Sequence, residues 1–402
     1  MVIRRSILSV TTAVAVVLAA VPAAQAAADP VESAAADIVA TATKGEPLTV
    51  VTTVETADGP QVTTVVVDSR KEAVDVVSDQ LDESSTVDVE MAKPVSIAAK
   101  RTKRVNDRYR KKQWALTRFD AERAWRKSKG KGVKVAVIDT GVTANHPDLR
   151  GRVLKGRDFV SGGRNANDRN GHGTHVAGII AAKANNKRGI AGLAPNARIL
   201  PVRVLDAAGN GNTGTVAQGI IYSVRKGADI INLSLAAFEP DGATRSAVAY
   251  AVRKGVVVVA AAGNAGLPCG VAGVPKTYPA AYPGVLGVGA IDKRGRVPGF
   301  SNCGSYVDVV APGASILSTM TKRSHRSLPC YTGSSYCTLS GTSMAAPYVA
   351  ASAALLMSRK KKMRASSVRK IITRTAKDIG PRGYDGISGH GVVRPKNILK
   401  GR

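Results

Sequence analysis

Three short strings carry side chains that can act together on a carbonyl group. Ser343 lies in Ser340-Gly-Thr-Ser-Met-Ala-Ala-Pro347, His172 and His175 lie in Gly171-His-Gly-Thr-His-Val-Ala-Gly178, and Asp139 lies in Val137-Ile-Asp-Thr-Gly141. A serine hydroxyl is a poor nucleophile near neutral pH, so it needs a base within hydrogen-bond reach and a group that orients that base. The strings supply these in the order Asp, His, Ser, one of the chain orders in which a serine-nucleophile triad is built. Gly341 and Ala345 leave room beside Ser343 for a substrate backbone, and the string opens a helix whose N-terminal amides favour developing negative charge. Either histidine is a candidate base, the two standing about one helical turn apart.

Positioning such groups requires a rigid frame, and the patterning predicts one. Val133–Asp139, Ile199–Leu205, Asp229–Leu235, Val256–Ala262 and Val285–Ile291 read as strands, several of them near-continuous β-branched runs. Thr174–Ala184, Thr215–Lys226, Thr244–Lys254, Thr342–Met357 and Ser366–Arg374 read as helices. Alternation of the two implies a three-layer αβα body with a largely parallel central sheet, whose ligands gather at the carboxyl ends of the strands. Asp139, Ser234 and Asn264 fall at such ends. Upstream, Leu48–Val54 and Gln61–Val67 alternate as strands around the turn-like Asp58-Gly-Pro60. A helix over Ser69–Leu81 and a strand over Thr86–Met91 complete a small α+β unit.

The 402 residues, 44% hydrophobic, are enough for a substantial core. Residues 1–26 carry Arg4 and Arg5, an apolar run from Ile7 to Val21, and the small-residue sequence Ala24-Gln25-Ala26. That run is shorter than the roughly 20 residues a bilayer requires and ends in a cleavage pattern, so residues 1–26 are expected to be an export signal and the chain secreted. No later segment is apolar enough to form a stable membrane span. Residues 27–99 hold 14 acids and 4 bases, whereas residues 100–402 hold 15 acids and 52 bases. An acidic arm of −10 thus precedes a body of +37, which is drawn to polyanions such as an anionic cell-surface polymer. At 4% aromatic, the chain lacks the stacking platforms of single-strand nucleic-acid binders. Four cysteines in an exported chain favour disulfides. Of three pairings, Cys330–Cys337, closing a short loop ahead of the Ser343 string, with Cys269–Cys303 is the expected one. No Cys-x-x-Cys spacing suggests zinc.

The three strings together resemble the subtilisin (subtilase) family of secreted serine endopeptidases, from about Asn106 to the C-terminus and through the preceding segment. The resemblance implies a propeptide over 27–104 that assists folding and then inhibits its own enzyme, and a catalytic domain over 105–402, expected to be monomeric and to hydrolyse protein or peptide substrates. It assigns His172 as base and leaves His175 structural. It also assigns Asn264, in Ala260-Ala-Ala-Gly263-Asn264, as the side-chain donor to the oxyanion. Substrate backbone would be held by Gly209-Asn210-Gly211 and Ser234-Leu235-Ala236-Ala237, with Gly263 beside them, as an added strand. No cofactor is implied for catalysis. A structural calcium at Asp148 and Asn186 is implied, although Asn185-Asn186 before Lys187 and Arg188 is equally a plain turn.

Two departures from the family pattern stand out. Ala236 and Ala237 replace a usual Gly-Gly, placing methyl groups where substrate approaches, and Tyr348 replaces a usual histidine away from the triad. The first narrows the accepted side chains or weakens catalysis. It leaves open a catalytically weakened protein that acts by binding, and the charge leaves open a basic polyanion-binding surface protein. Arg359-Lys-Lys-Lys-Met-Arg364 suits a helix C-terminus or such a docking patch.

Overall fold

Runs of Val, Ile and Ala with no polar alternation form strands only where both faces are covered, and both faces are covered here. The computed structural model describes residues 30–42, 48–57, 59–91, 105–266, 276–322, 324–326, 328, 330, 334–360 and 363–400. The expected export signal, Asp58 of the first turn, the junction ahead of residue 105, and Cys269 lie outside the described residues. The chain separates into two compact units, residues 1–101 and 102–402.

In the first unit, α1 (Pro30–Ala40) precedes β1 (Leu48–Thr56), β2 (Gly59–Val67), α2 (Arg70–Leu81) and β3 (Thr86–Met91). The strands form an antiparallel sheet in the order β2-β1-β3. Its core is small, with Ala35, Val39, Val50, Ala73, Val77 and Met91 at its centre. Helix α2 starts one residue after the predicted Ser69, which serves instead as its N-cap: Ser69 Oγ accepts from Glu72 N–H at 3.1 Å, while Glu72 accepts from Asp68 N–H at 2.9 Å. Helix α1 was not expected; its Ala-rich stretch buries only Ala35 and Val39, too sparse a stripe to announce an amphipathic helix.

The second unit runs α3 (Trp114–Arg118), α4 (Ala121–Trp125), β4 (Lys134–Asp139), β5 (Arg157–Asp158), α5 (His172–Ala181), β6 (Arg198–Arg203), α6 (Thr213–Arg225), β7 (Ile230–Leu233), α7 (Gly242–Arg253), β8 (Val257–Ala261), β9 (Val285–Ile291), β10 (Val309–Pro312), β11 (Ile316–Thr319), β12 (Tyr336–Leu339), α8 (Thr342–Arg359), α9 (Ala365–Arg374) and α10 (Pro395–Ile398). Seven strands make a parallel sheet in the order β10-β9-β8-β7-β4-β6-β5. Alternate residues of each strand feed opposite layers. Val135, Val137, Val257 and Val259 pack with α5 and α8, while Ala136, Ile138, Val258 and Ala260 pack with α6 and α7. Full burial of each such Val or Ile contributes about 1.5–3 kcal/mol.

The expected three-layer αβα architecture is present, with boundaries shifted for identifiable reasons. Helices α6 and α7 begin two residues earlier than the apolar pattern suggests, because Asn212 and Asp241 accept from the N–H groups of Thr215 and Thr244. After β4 the chain adds strands on one side, then crosses to β7 on the other, so the crevice for ligands opens at the carboxyl ends of β4 and β7. The β11–β12 hairpin was not expected. No helix among the described residues is long and apolar enough to cross a membrane.

Candidate active site

Asp139 ends β4, wholly buried, and its backbone continues into a turn whose Thr140 N–H donates back to Asp139 Oδ1 at 2.7 Å. His172 opens α5, and its Nδ1 lies 2.8 and 3.0 Å from the two carboxylate oxygens of Asp139. The carboxylate accepts, so Nδ1 carries the proton and Nε2 keeps a lone pair toward the cleft. Burial works to lower the His172 pKa, but the charge and hydrogen bond of Asp139, with a further contribution from Asp168, outweigh it and raise it.

The start of α5 is fixed by a residue the sequence reading did not single out. Asp168 is buried and accepts five hydrogen bonds: from Thr140 Oγ1, Asn170 N–H and Gly171 N–H on one oxygen, and from Thr174 N–H and Thr174 Oγ1 on the other. It therefore caps α5 and ties the turn after Asp139 to the turn before His172. Its signal in sequence is only an aspartate four residues ahead of the histidine. Burial raises its pKa against the pull of those donors.

His175, one turn along, faces the other way. It is fully buried, and its Nε2–H is shared between the carbonyls of Ile316 and Cys337 at 3.0 and 3.1 Å, joining α5 to the β11–β12 hairpin. Burial, then the nearby His172, push its pKa down to about 3, so it stays neutral.

Ser343 is the second residue of α8, where the first N–H groups of a helix lack intrahelical acceptors. Pro347, four residues on, has no N–H to offer the Ser343 carbonyl, which instead accepts from Ser234 Oγ at 2.9 Å. The Ser343 hydroxyl in turn donates to the Ser234 carbonyl at 3.1 Å and not to His172. Asn264, following β8, has its Oδ1 held by Thr342 N–H and Oγ1 at 2.7 and 3.0 Å, which fixes Nδ2 as the opposite, donor end of the amide. Gly263 has φ +97°, and a Cβ there would meet Asn302 Nδ2 at 2.5 Å, so only glycine permits this turn.

Two cavities share the wall Leu235–Ala237. The larger, about 460 Å³, runs from Thr140, Asn170 and His172 past Gly209, Asn210 and Gly211 to Tyr278. The smaller, about 340 Å³, is bounded by Gly263, Asn264, Thr342 and Ser343. Both expected substrate edges therefore border the cleft. Ala236 and Ala237 are exposed on it, and the backbone N–H and C=O of Ala237 are already taken by Tyr278, each at 2.8 Å. Within that segment the edge left to a peptide is Ser234–Ala236. Tyr348 lies away from the cleft, buried and edge-on to Phe119 at 5.3 Å.

Elsewhere, Cys330 and Cys337 are disulfide-bonded with their Cα atoms 5.8 Å apart. Cys303 is also disulfide-bonded, and its expected partner Cys269 lies outside the described residues. Asp148 and Asn186 meet directly, Asn186 Nδ2 donating to Asp148 Oδ1 at 2.8 Å. Asp107, nearby and buried, accepts the N–H groups of Asn185 and Asn186. Its pKa is raised by burial and by the charge of Asp148, against those hydrogen bonds.

The sequence pattern described as the subtilase family matches residues 130–391. A thermophilic serine proteinase of Bacillus sp. (strain AK1) is 48% identical over 262 residues, covering 65% of this chain and 60% of that protein. Thermitase of Thermoactinomyces vulgaris is 45% identical over 279 residues, covering 69% of this chain and 93% of that protein. Among solved structures, a protease of Pseudoalteromonas arctica superposes with a TM-score of 0.66 at 32% identity, covering 74% of this chain and 98% of that one.

Proposed function

Since the chain belongs to the subtilase family and is a subtilisin-like serine endopeptidase, we propose that Ser343, His172, Asp139 and Asn264 perform its chemistry, the Asp139–His172 contact at 2.8 Å being the observation that carries the assignment. Ser343 Oγ attacks the scissile carbonyl carbon as His172 Nε2 takes the hydroxyl proton, while Asp139 holds the tautomer and stabilises the imidazolium. The carbonyl oxygen becomes an oxyanion between Asn264 Nδ2 and the Ser343 N–H. Collapse breaks the C–N bond, with His172 returning its proton to the leaving amine. Water, deprotonated by the same imidazole, then releases the acyl group and regenerates Ser343.

Residues 1–26 act as the export signal and 27–104 as a propeptide that inhibits the body, a reading favoured by the opposed charges of −6 over 27–104 and +33 over 105–402 and by a compact α+β unit in that place. A structural calcium beside Asp107, Asp148 and Asn186 is favoured by two buried carboxylates that repel each other. Oxygen ligands of this kind suit that hard cation, with the Asn186 amide turned to present its oxygen. Expression of the precursor beside Ser343→Ala, with fluorophosphonate labelling, tests the assignment. Labelling and loss of the N-terminal arm in the native chain alone are expected, and a folded native body that neither labels nor cleaves peptides refutes it.

A further inference from the structure

Between β11 and β12 lie residues 320–335, of which 320–322, 324–326, 328, 330, 334 and 335 are described. We propose that the described residues of this segment around Ser324 and Leu328 add a wall to the substrate cleft, and that Leu328 determines which side chain is accepted at the second residue before the scissile bond. The inference rests on the assignment of Ser343 and His172 above.

The loop lies directly on the residue preceding His172. A Cβ at Gly171 would stand 2.4 Å from Met320 Sδ, 3.1 Å from Ser324 Cβ and 3.3 Å from Leu328 Cδ1, so loop and histidine turn are in close contact. His325 N–H donates to the Asn170 carbonyl at 2.8 Å, and Asn170 Nδ2 donates onward to Ala207 O at 2.8 Å, in the loop that carries the Gly209 edge. The far end of the segment is held as well. Ser324 Oγ donates to Cys330 O at 3.0 Å, and the disulfide fastens Cys330 to Cys337 in β12, the strand that leads to Ser343. Leu328 N–H donates to His325 O at 3.0 Å, and the Leu328 side chain lines the larger cavity with Asn170 and His172.

Strand geometry identifies the subsite. A peptide laid along Ser234–Ala236 with its reacting carbonyl at Ser343 sends the side chain before that bond into the smaller cavity beside Gly263 and Asn264. Successive side chains of an extended chain point to opposite faces. The next one therefore turns toward His172, Asn170 and Leu328.

Leu328→Ala and Leu328→Trp, each made in the full precursor and matured, are compared with wild type on peptides that differ only at this position. Removing most of the leucine side chain should raise the kcat/KM ratio of Phe over Ala about tenfold or more, and the indole should lower it. Opposite shifts support the wall, and two directions keep the test sharp where one variant folds poorly. Ratios equal to wild type in both variants overturn it. Wild-type turnover of the Ala peptide separates that result from a failure of the triad assignment, in which none of the three proteins would cut any peptide and both readings fall.

Discussion

Asp168→Asn is the substitution whose consequences the geometry determines most fully. The three donors on one carboxylate oxygen, Thr140 Oγ1 at 2.9 Å, Asn170 N–H at 2.9 Å and Gly171 N–H at 2.8 Å, can all be kept by an amide oxygen. The other oxygen receives Thr174 N–H at 2.9 Å and Thr174 Oγ1 at 2.6 Å, and there the amide places an NH2 group. The threonine hydroxyl can reverse and accept, but the backbone N–H then faces a donor inside the protein. Losing a hydrogen bond to a charged group and leaving that N–H unsatisfied should together cost about 3 to 5 kcal/mol. Removing the charge also removes one of the influences that raise His172. A general base must be neutral, so the acid limb of kcat/KM should move to lower pH in the variant. Denaturant unfolding in a Ser343→Ala background gives the first quantity, and a pH–rate profile of the active protein gives the second. An unchanged unfolding free energy would refute the capping argument. A limb that stays in place would show that Asp168 acts on the helix start alone.

Asn264→Ala should lower kcat about 10²–10³-fold with little change in KM, since in the proposed mechanism the amide meets the oxyanion and not the ground-state carbonyl; steady-state kinetics on a short peptide decide it, and a loss confined to KM contradicts the role. His175 is held neutral with a pKa of about 3, whereas the unfolded chain protonates near 6.5. Its contribution to stability is therefore complete above about pH 6.5 and is lost as pH falls toward 3, at about 1.4 kcal/mol per pH unit. His175→Gln should flatten the stability profile over that window, and equal slopes would count against it. Replacing Cys330 and Cys337 by serine opens a link with a sequence separation of seven and should cost about 2.5 kcal/mol of unfolding free energy, checked against wild type under the same denaturant.

Much of this architecture is legible in the sequence because the strands are apolar throughout, and a run such as Val256–Ala262 has few alternatives to a buried parallel strand. The three reactive strings are legible because glycine and alanine crowd around Asp139, His172 and Ser343. What was missed depends on contacts made across the chain. Asp168 reads as a loop aspartate until Thr140 and Thr174 are seen converging on it. The β11–β12 hairpin is short, and its strands are separated by a long polar excursion that hides their pairing. The Ser343 hydroxyl donating to Ser234, and the closure of the Ala237 backbone by Tyr278, follow from backbone placement that side-chain patterning does not encode.

Helix α8 is buried on every side from Met344 to Leu356, its bulk kept down by Ala345, Ala346, Ala350, Ala351, Ala353 and Ala354. It therefore has no exposed stripe for more than three turns, and a volume increase at any of those alanines would have to be absorbed by close-packed neighbours beside Ser343's helix. Changes in what the cleft accepts are therefore made at less packing cost in the loops and rim around this helix than at its buried alanines.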